Sequence, residues 1–168
     1  TLGGIKIWYD EHTGKLNTDE RGQFVGEFDT EDRVLVLYKD GSYEMTDFEL
    51  THRYDFEKVL EVVKLTAKTV ISSLYYDGDS KEYFVKRFQV ETSTLDKRFP
   101  FISEHANSRL ILATTEARPH VRYLASTKTK KNEEIVVNLA EFIDVKGWKA
   151  MGNKLDRRKV TGLKRIEA

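Results

Sequence analysis

The chain has 168 residues, 39% of them apolar, with 2 Trp, 8 Tyr, 9 Phe, 2 Pro and no Cys. The length suits one globular domain or a row of small repeats, and the absence of Cys excludes a disulfide framework, a thiolate nucleophile and thiolate-bound zinc. The formal charge is zero but segregated, with 5 basic and 12 acidic residues in 1–50, 9 and 8 in 51–100, and 14 and 8 in 101–168, so nucleic-acid binding by the whole surface is excluded and the local balance decides.

The apolar runs are only a few residues long, too short for a membrane-spanning helix. The chain opens at Thr1 without a basic n-region or an apolar h-region, which gives the expectation of a cytoplasmic, internal fragment of something longer.

Taken in chain order, the first strong signals are Val34 to Met45 and Val70 to Val85. Each is a β-rich run, an Asp-Gly pair (Asp40-Gly41, Asp77-Gly78) and a second β-rich run. Gly tolerates the positive φ of tight primed turns and Asp bonds its own backbone, so both segments read as β-hairpins. Between them Val59, Leu60, Val63, Ala67, Val70, Ile71 and Leu74 also fit a 3.6-residue period. The β-branched content of that run, and Tyr75-Tyr76 leading into the second turn, favour strands over this helical alternative.

Arg109 to Leu124 reads as a third, degenerate hairpin in which Glu116 to Pro119 replaces the Asp-Gly turn. The repeats therefore begin near 34, 70 and 110, each followed by a polar connection and a further short strand at 56–65, 99–103 and 134–139. A unit of about four strands per 40 residues emerges, the spacing of propeller-like β-repeats. Ser126 to Glu134 has no apolar residue and reads as a solvated connector.

Little in the chain suggests catalysis. His12, His52, His105 and His120 lack metal-ligand spacing. No phosphate-binding loop or nucleophile elbow is present, and Gly3-Gly4 and Gly22 to Gly26 lack the strand-to-helix context of a dinucleotide site. Acid pairs such as Asp19-Glu20 and Glu133-Glu134 lie beside turns, where they are solvated.

The informative stretch is Val145 to Arg165, with eight basic residues and one acid. Gly147 and Gly152 allow close backbone approach to a phosphate, Lys146, Lys149 and Lys154 supply charge, and Trp148 offers a flat face. The competing reading is a β-turn with solvated lysines and Trp148 in the core. Lys86, Arg87, Arg122 and the Lys128 to Lys131 loop pose the same choice.

Gly3 to Trp8, the two Asp-Gly hairpins with their flanking Tyr, and Phe142 to Leu155 resemble the C-terminal region of the bacterial topoisomerase IV A subunit, in the gyrase A family of type IIA topoisomerases, from Leu2 to about Thr161. The resemblance implies an all-β fold, a propeller-like β-pinwheel of about three to four four-stranded blades, here roughly 1–50, 51–100 and 101–168. It also implies an accessory domain that binds and bends double-stranded DNA as the transported segment and tunes decatenation and supercoil relaxation. On that basis Lys146, Trp148, Lys149, Lys154, Arg157, Arg158 and Lys159, with Lys86, Arg87 and Arg122 as secondary candidates, are the expected DNA-binding residues.

The family's Mg²⁺, ATP and DNA-cleaving tyrosine belong to other parts of the holoenzyme, so this chain is expected to have no catalytic residue, metal or cofactor. Its expected partners are DNA, the rest of the A subunit, and the ATPase B subunit, in the cytoplasm at the nucleoid. Gyrase's Gln-Arg-Arg-Gly-Gly-Lys-Gly box is missing, the nearest strings being Glu20 to Gly26 and Lys146 to Gly152, which favours a decatenase-type enzyme over tight wrapping. Two other readings are carried forward. One is a protein-interaction β-repeat that docks through the acidic N-terminal third, and the weaker one is a stand-alone enzyme.

Overall fold

A computed structural model describes residues 4–167, so Leu2 and Gly3 of the resemblance lie outside the described residues. Among the described residues there are fourteen strands, the longer ones rich in β-branched and aromatic residues: β1 (Ile5–Asp10), β2 (Lys15–Asn17), β3 (Gln23–Phe28), β4 (Arg33–Tyr38), β5 (Ser42–Thr46), β6 (Val59–Leu65), β7 (Ile71–Asp77), β8 (Glu82–Phe88), β9 (Arg98–Pro100), β10 (Arg109–Thr114), β11 (His120–Ser126), β12 (Glu133–Asn138), β13 (Asn153–Lys154) and β14 (Lys159–Ile166). One four-residue helix, α1 (Leu139–Phe142), is capped by the Asn138 side chain, which accepts from the Ala140 amide.

The chain divides into two compact units, each with two antiparallel sheets. Residues 4–69 and 92–100 build sheets of strand order β2-β1-β3 and β6-β4-β5-β9; residues 70–91 and 101–167 build β10-β7-β8-β13 and β12-β11-β14. All-β architecture is thus observed, in sheets of three and four strands among the described residues. The helical reading of 59–74 gives way to β6 and β7, as the β-branched content requires.

In the first unit, Ile7, Tyr9 and Phe28 pack with Val34, Val36 and Tyr54 into one core cluster. Val34 to Tyr38 is buried at every position, which accounts for its unbroken apolar sequence. In the second unit Leu74, Val85, Val121, Tyr123, Leu139 and Leu155 form a cluster of their own. There β11 alternates cleanly: Val121, Tyr123 and Ala125 are buried while Arg122, Leu124 and Ser126 are not. At ~25 cal/mol per Å² of apolar surface removed from water, such burial is the main term stabilising each unit.

The first two hairpins form as read, β4 with β5 and β7 with β8. Their glycines work differently. Gly41 takes φ 84°, as its turn demands, whereas in the second turn the positive φ falls on Lys81. Gly78 is needed for space, since a Cβ there would lie 2.5 Å from His105 Nδ1 and 2.8 Å from the Asn107 carbonyl carbon.

The third hairpin is a correction. β10 pairs with β7 rather than with β11, in the register Arg109↔Tyr76 to Thr114↔Ser72. β11 instead turns into β12 through the lysine-rich stretch 127–132, so the apparent connector is the hairpin turn itself. A fully solvated lysine run supplies no apolar signal by which sequence could distinguish a turn from a linker.

Candidate nucleic-acid interface

All ten expected DNA-binding residues fall in the second unit, eight of them in three different situations, while Arg157 and Lys159 are exposed beside and at the start of β14. The first is the loop from Asp144 to Gly152, which sheet β7–β8 holds at both ends. At its start the Lys146 amide donates to the Arg87 carbonyl at 2.9 Å. Arg87 Nη1 donates to the Ala140 and Ile143 carbonyls, each at 3.1 Å, and its Nε donates to Ser72 Oγ. At its end Tyr75 OH donates to the Met151 carbonyl at 2.6 Å. Gly152, at φ 93°, lies so close to β8 that a Cβ would be 2.2 Å from the Val85 carbonyl oxygen.

Between these anchors the loop stands out into solvent. Lys146, Gly147 and Lys149 are exposed, and nothing lies within 4 Å of where a Gly147 Cβ would be. Trp148 is half-buried with Lys149 Nζ 5.8 Å from its ring centroid, so the flat face and the charge sit together.

A second group is tied to carboxylates. Lys154 Nζ lies 2.7 Å from Glu82, Arg122 pairs with Glu134 at 3.2 Å, and Arg158 bridges Asp156 at 2.9 Å and Glu133 at 2.6 Å. The Arg158 guanidinium, helped by the Tyr123 hydroxyl, holds the Asp156 carboxyl down at about 2. Burial and the acceptance of its proton by Asp156 push the Tyr123 phenol up.

A third group lies inside. Lys86 is 4% exposed, with its ammonium 2.8 Å from the Phe101 carbonyl and 5.2 Å from the Phe88 ring centroid. Burial pushes its pKa down to about 8. Arg87 spends its guanidinium on the carbonyls around α1, so both residues act within the fold.

Sequence reasoning ranked four further cations too low or left them out. Lys128, Lys130 and Lys131 crown the β11–β12 turn, and Lys164 on β14 lies opposite Arg122 in register. All four are exposed, as are Lys146, Lys149, Arg157 and Lys159, and among the described residues none of these eight is ion-paired. The Thr-Lys-Thr-Lys-Lys run was the available signal for three of them.

Among the described residues no cluster of three or more His, Cys, Asp or Glu side chains is arranged to hold a metal, and no helix is long and apolar enough to cross a membrane. The family described as "Topoisomerase C-terminal domain, Bacteroidota" matches residues 15–167. The chain belongs to this family. It is therefore an accessory domain of a topoisomerase and works in association with the rest of that enzyme. No curated protein and no solved structure matches the chain.

Proposed function

We propose that this topoisomerase C-terminal domain binds double-stranded DNA through the backbone phosphates and bends it as a transported segment, tuning decatenation and relaxation without chemistry of its own. On this reading the domain belongs to the A subunit of a topoisomerase IV-type enzyme, which works at the nucleoid with an ATPase B subunit, and Mg²⁺ and ATP are held elsewhere in the holoenzyme. The observation that carries the reading is a group of exposed cations without carboxylate partners in the second unit, eight of them being Lys128, Lys130, Lys131, Lys146, Lys149, Arg157, Lys159 and Lys164, with Lys81, Arg109 and Arg118 exposed and outside any ion pair besides. Cations already neutralised within the fold release few counterions on binding, whereas free ones release about one each.

The surface is built of turns and a strand, with no recognition helix among the described residues. Such a surface grips phosphates and senses duplex shape without reading bases. Affinity should therefore fall steeply with salt and be indifferent to sequence.

The test is the affinity of the chain for a duplex of a few tens of base pairs across a salt series, with random-sequence competitor. Replacing Lys128, Lys130 and Lys131 by Ala should reduce the slope of log K against log salt by up to about three, and replacing Lys146 and Lys149 by up to about two. Lys154→Ala should leave it nearly unchanged. No binding at low salt, or an unaltered slope in both multiple variants, would overturn the reading.

One observation favours a second reading for the first unit, a protein-docking face. Ile5, Phe24, Leu50, Phe56 and Leu60 are each at least 40% exposed there, and Glu20, Glu27, Glu31 and Glu49 of the same unit are exposed as well. Reversing those four acids should then disrupt a protein complex and leave the DNA salt slope as it was.

A further inference from the structure

The glycine-bearing string Glu20 to Gly26 lies in the first unit, and its surroundings there are the opposite of a phosphate site. Gly22 takes φ 87° and lies so close to β1 that a Cβ would be 2.1 Å from the Tyr9 carbonyl oxygen. Gly22 and Gln23 form part of the wall of a cavity of about 190 Å³, completed by Tyr9, Phe56 and the stretch Val59 to Val62 of β6.

Two carboxylates, Glu11 and Glu61, also line this cavity, and among the described residues no Lys or Arg does. A phosphate entering it would meet charge of its own sign. The volume is below the about 300–1,000 Å³ of sites that take whole small molecules, so its size suits one long side chain. Phe56 and Leu60 are 40% and 41% exposed, which leaves apolar surface of the wall open to solvent.

One polar atom of this wall is unspent. Tyr9 is 4% exposed and its ring meets that of Tyr54 edge-on, with centroids 6.1 Å apart, but its buried hydroxyl has no hydrogen-bond partner among the described residues. Buried polar groups are as a rule bonded, so an unbonded phenol calls for a partner from outside the fold. Burial pushes the Tyr9 phenol up, and the charges of Glu11, Asp10 and Asp55 add to the rise, so the potential at its hydroxyl is negative. Residues 1–69 carry 9 basic and 15 acidic side chains, which favours the approach of a cation from further away.

We propose that this cavity is a binding site for a lysine or arginine side chain presented by a protein partner. The alkyl stem lies along Phe56, Val59 and Leu60, and the charged head donates to the Tyr9 phenol oxygen and to the carboxylates of Glu11 and Glu61. Apolar neighbours of that side chain in the partner cover the exposed parts of Phe56 and Leu60. The inference rests on the docking reading of the first unit, to which it adds the chemistry of the partner, and it does not depend on DNA binding by the second.

The peptides acetyl-Leu-Lys-Leu-amide and acetyl-Leu-Arg-Leu-amide, titrated into the full chain, test this. NMR follows the Tyr9 and Phe56 rings and the Gly22 and Gln23 amides. The expected result is saturable shifts at these groups, with affinity at least about tenfold weaker for the norleucine analogue, which keeps the alkyl stem without the ammonium. Tyr9→Phe should weaken the lysine peptide by about tenfold and yet melt no lower than wild type, because its hydroxyl bonds nothing in the fold. Glu11→Gln combined with Glu61→Gln should weaken it by at least as much. Unshifted Tyr9 and Phe56 resonances, equal affinity for the norleucine analogue, unaltered affinity in Tyr9→Phe, or n-butylammonium binding as tightly as the peptide would each overturn the proposal, the last by making the occupant a free amine. Unshifted resonances would do so even where reversing Glu20, Glu27, Glu31 and Glu49 disrupts a protein complex, so this failure is distinct from that of the docking reading.

Discussion

Replacing the buried Lys86 by methionine should flatten the pH dependence of stability without touching DNA binding. The ammonium lies against the Phe101 carbonyl and the Phe88 ring, with no carboxylate bonded to it. Its pKa falls from 10.5 to about 8 because burial penalises the charged form. At about 1.36 kcal/mol per pKa unit, keeping it protonated at pH 7 costs roughly 3 kcal/mol relative to the unfolded chain. Between pH 8 and 10.5 the unfolded chain holds more protons at this site than the folded one, so the free energy of unfolding rises with pH and the chain recovers that amount. Below about pH 8 both states are charged and the penalty is constant.

Lys86→Met keeps the length of the side chain and removes the charge, but it also leaves the Phe101 carbonyl without its donor, which costs about 1–3 kcal/mol. The two effects nearly cancel at pH 7, so a melt at that pH alone decides nothing. The decisive measurement is urea unfolding followed by tryptophan fluorescence at pH 7, 8, 9 and 10, taken as the difference between wild type and variant. That difference should move in favour of wild type by roughly 2–3 kcal/mol over the interval. Burial raises the phenols as well, Tyr75 to about 12 and Tyr38 and Tyr54 further. A raised phenol loses stability as pH climbs past 10.0, but it does so in both proteins and drops out of the difference. Parallel stability curves, or a changed DNA salt slope in the variant, would refute the placement of the ammonium in the interior.

Two further outcomes follow from the geometry. Gly78→Ala forces a methyl group against His105 and the Asn107 backbone and should cost about 1–3 kcal/mol in thermal or urea unfolding; an unchanged midpoint would show that the turn gives way easily. Asp156, held at about 2 mainly by the Arg158 guanidinium, contributes stability that is present above pH 4 and lost as pH falls towards 2. Asp156→Asn should therefore be about 2 kcal/mol less stable at pH 7 and converge with wild type only as pH falls below about 2, and a constant gap between pH 5 and pH 2 would refute the assignment.

The parts of the fold that were legible are those written in neighbouring residues. Two β-rich runs around Asp40-Gly41 or Asp77-Gly78 specify a hairpin locally, and both formed. The partner of β10 is not local. Arg109 pairs with Tyr76, 33 positions earlier, and nothing between Leu110 and Pro119 records that choice. Pro119 suggested a turn, whereas its carbonyl accepts from the Leu139 amide. The short strands β9 and β13 were invisible for a different reason: two or three residues cannot display a period of two.

The site divides along the same line. The count of charges was legible, but which of them are free was not, because freedom depends on register. Arg122 meets Glu134 only because β11 and β12 align Leu124 with Glu134, which places Arg122 on the adjacent diagonal. Lys86 is the instructive exception. On β8 it shares strand parity with Phe84 and Phe88, both buried, so alternation alone consigned it to the core. Reading Lys86-Arg87 as a basic pair concealed what reading Phe84, Lys86 and Phe88 as one face would have shown. Eight of the cations left without an acid lie in the β11–β12 turn, in the loop anchored by Arg87 and Tyr75, and between Arg157 and Lys164 at the outer strand β14. An edge position alone does not free a charge, since Lys154 on β13 pairs with Glu82 and Arg165 on β14 with Glu116; a cation with no acid opposed to it is one that a phosphate backbone can reach.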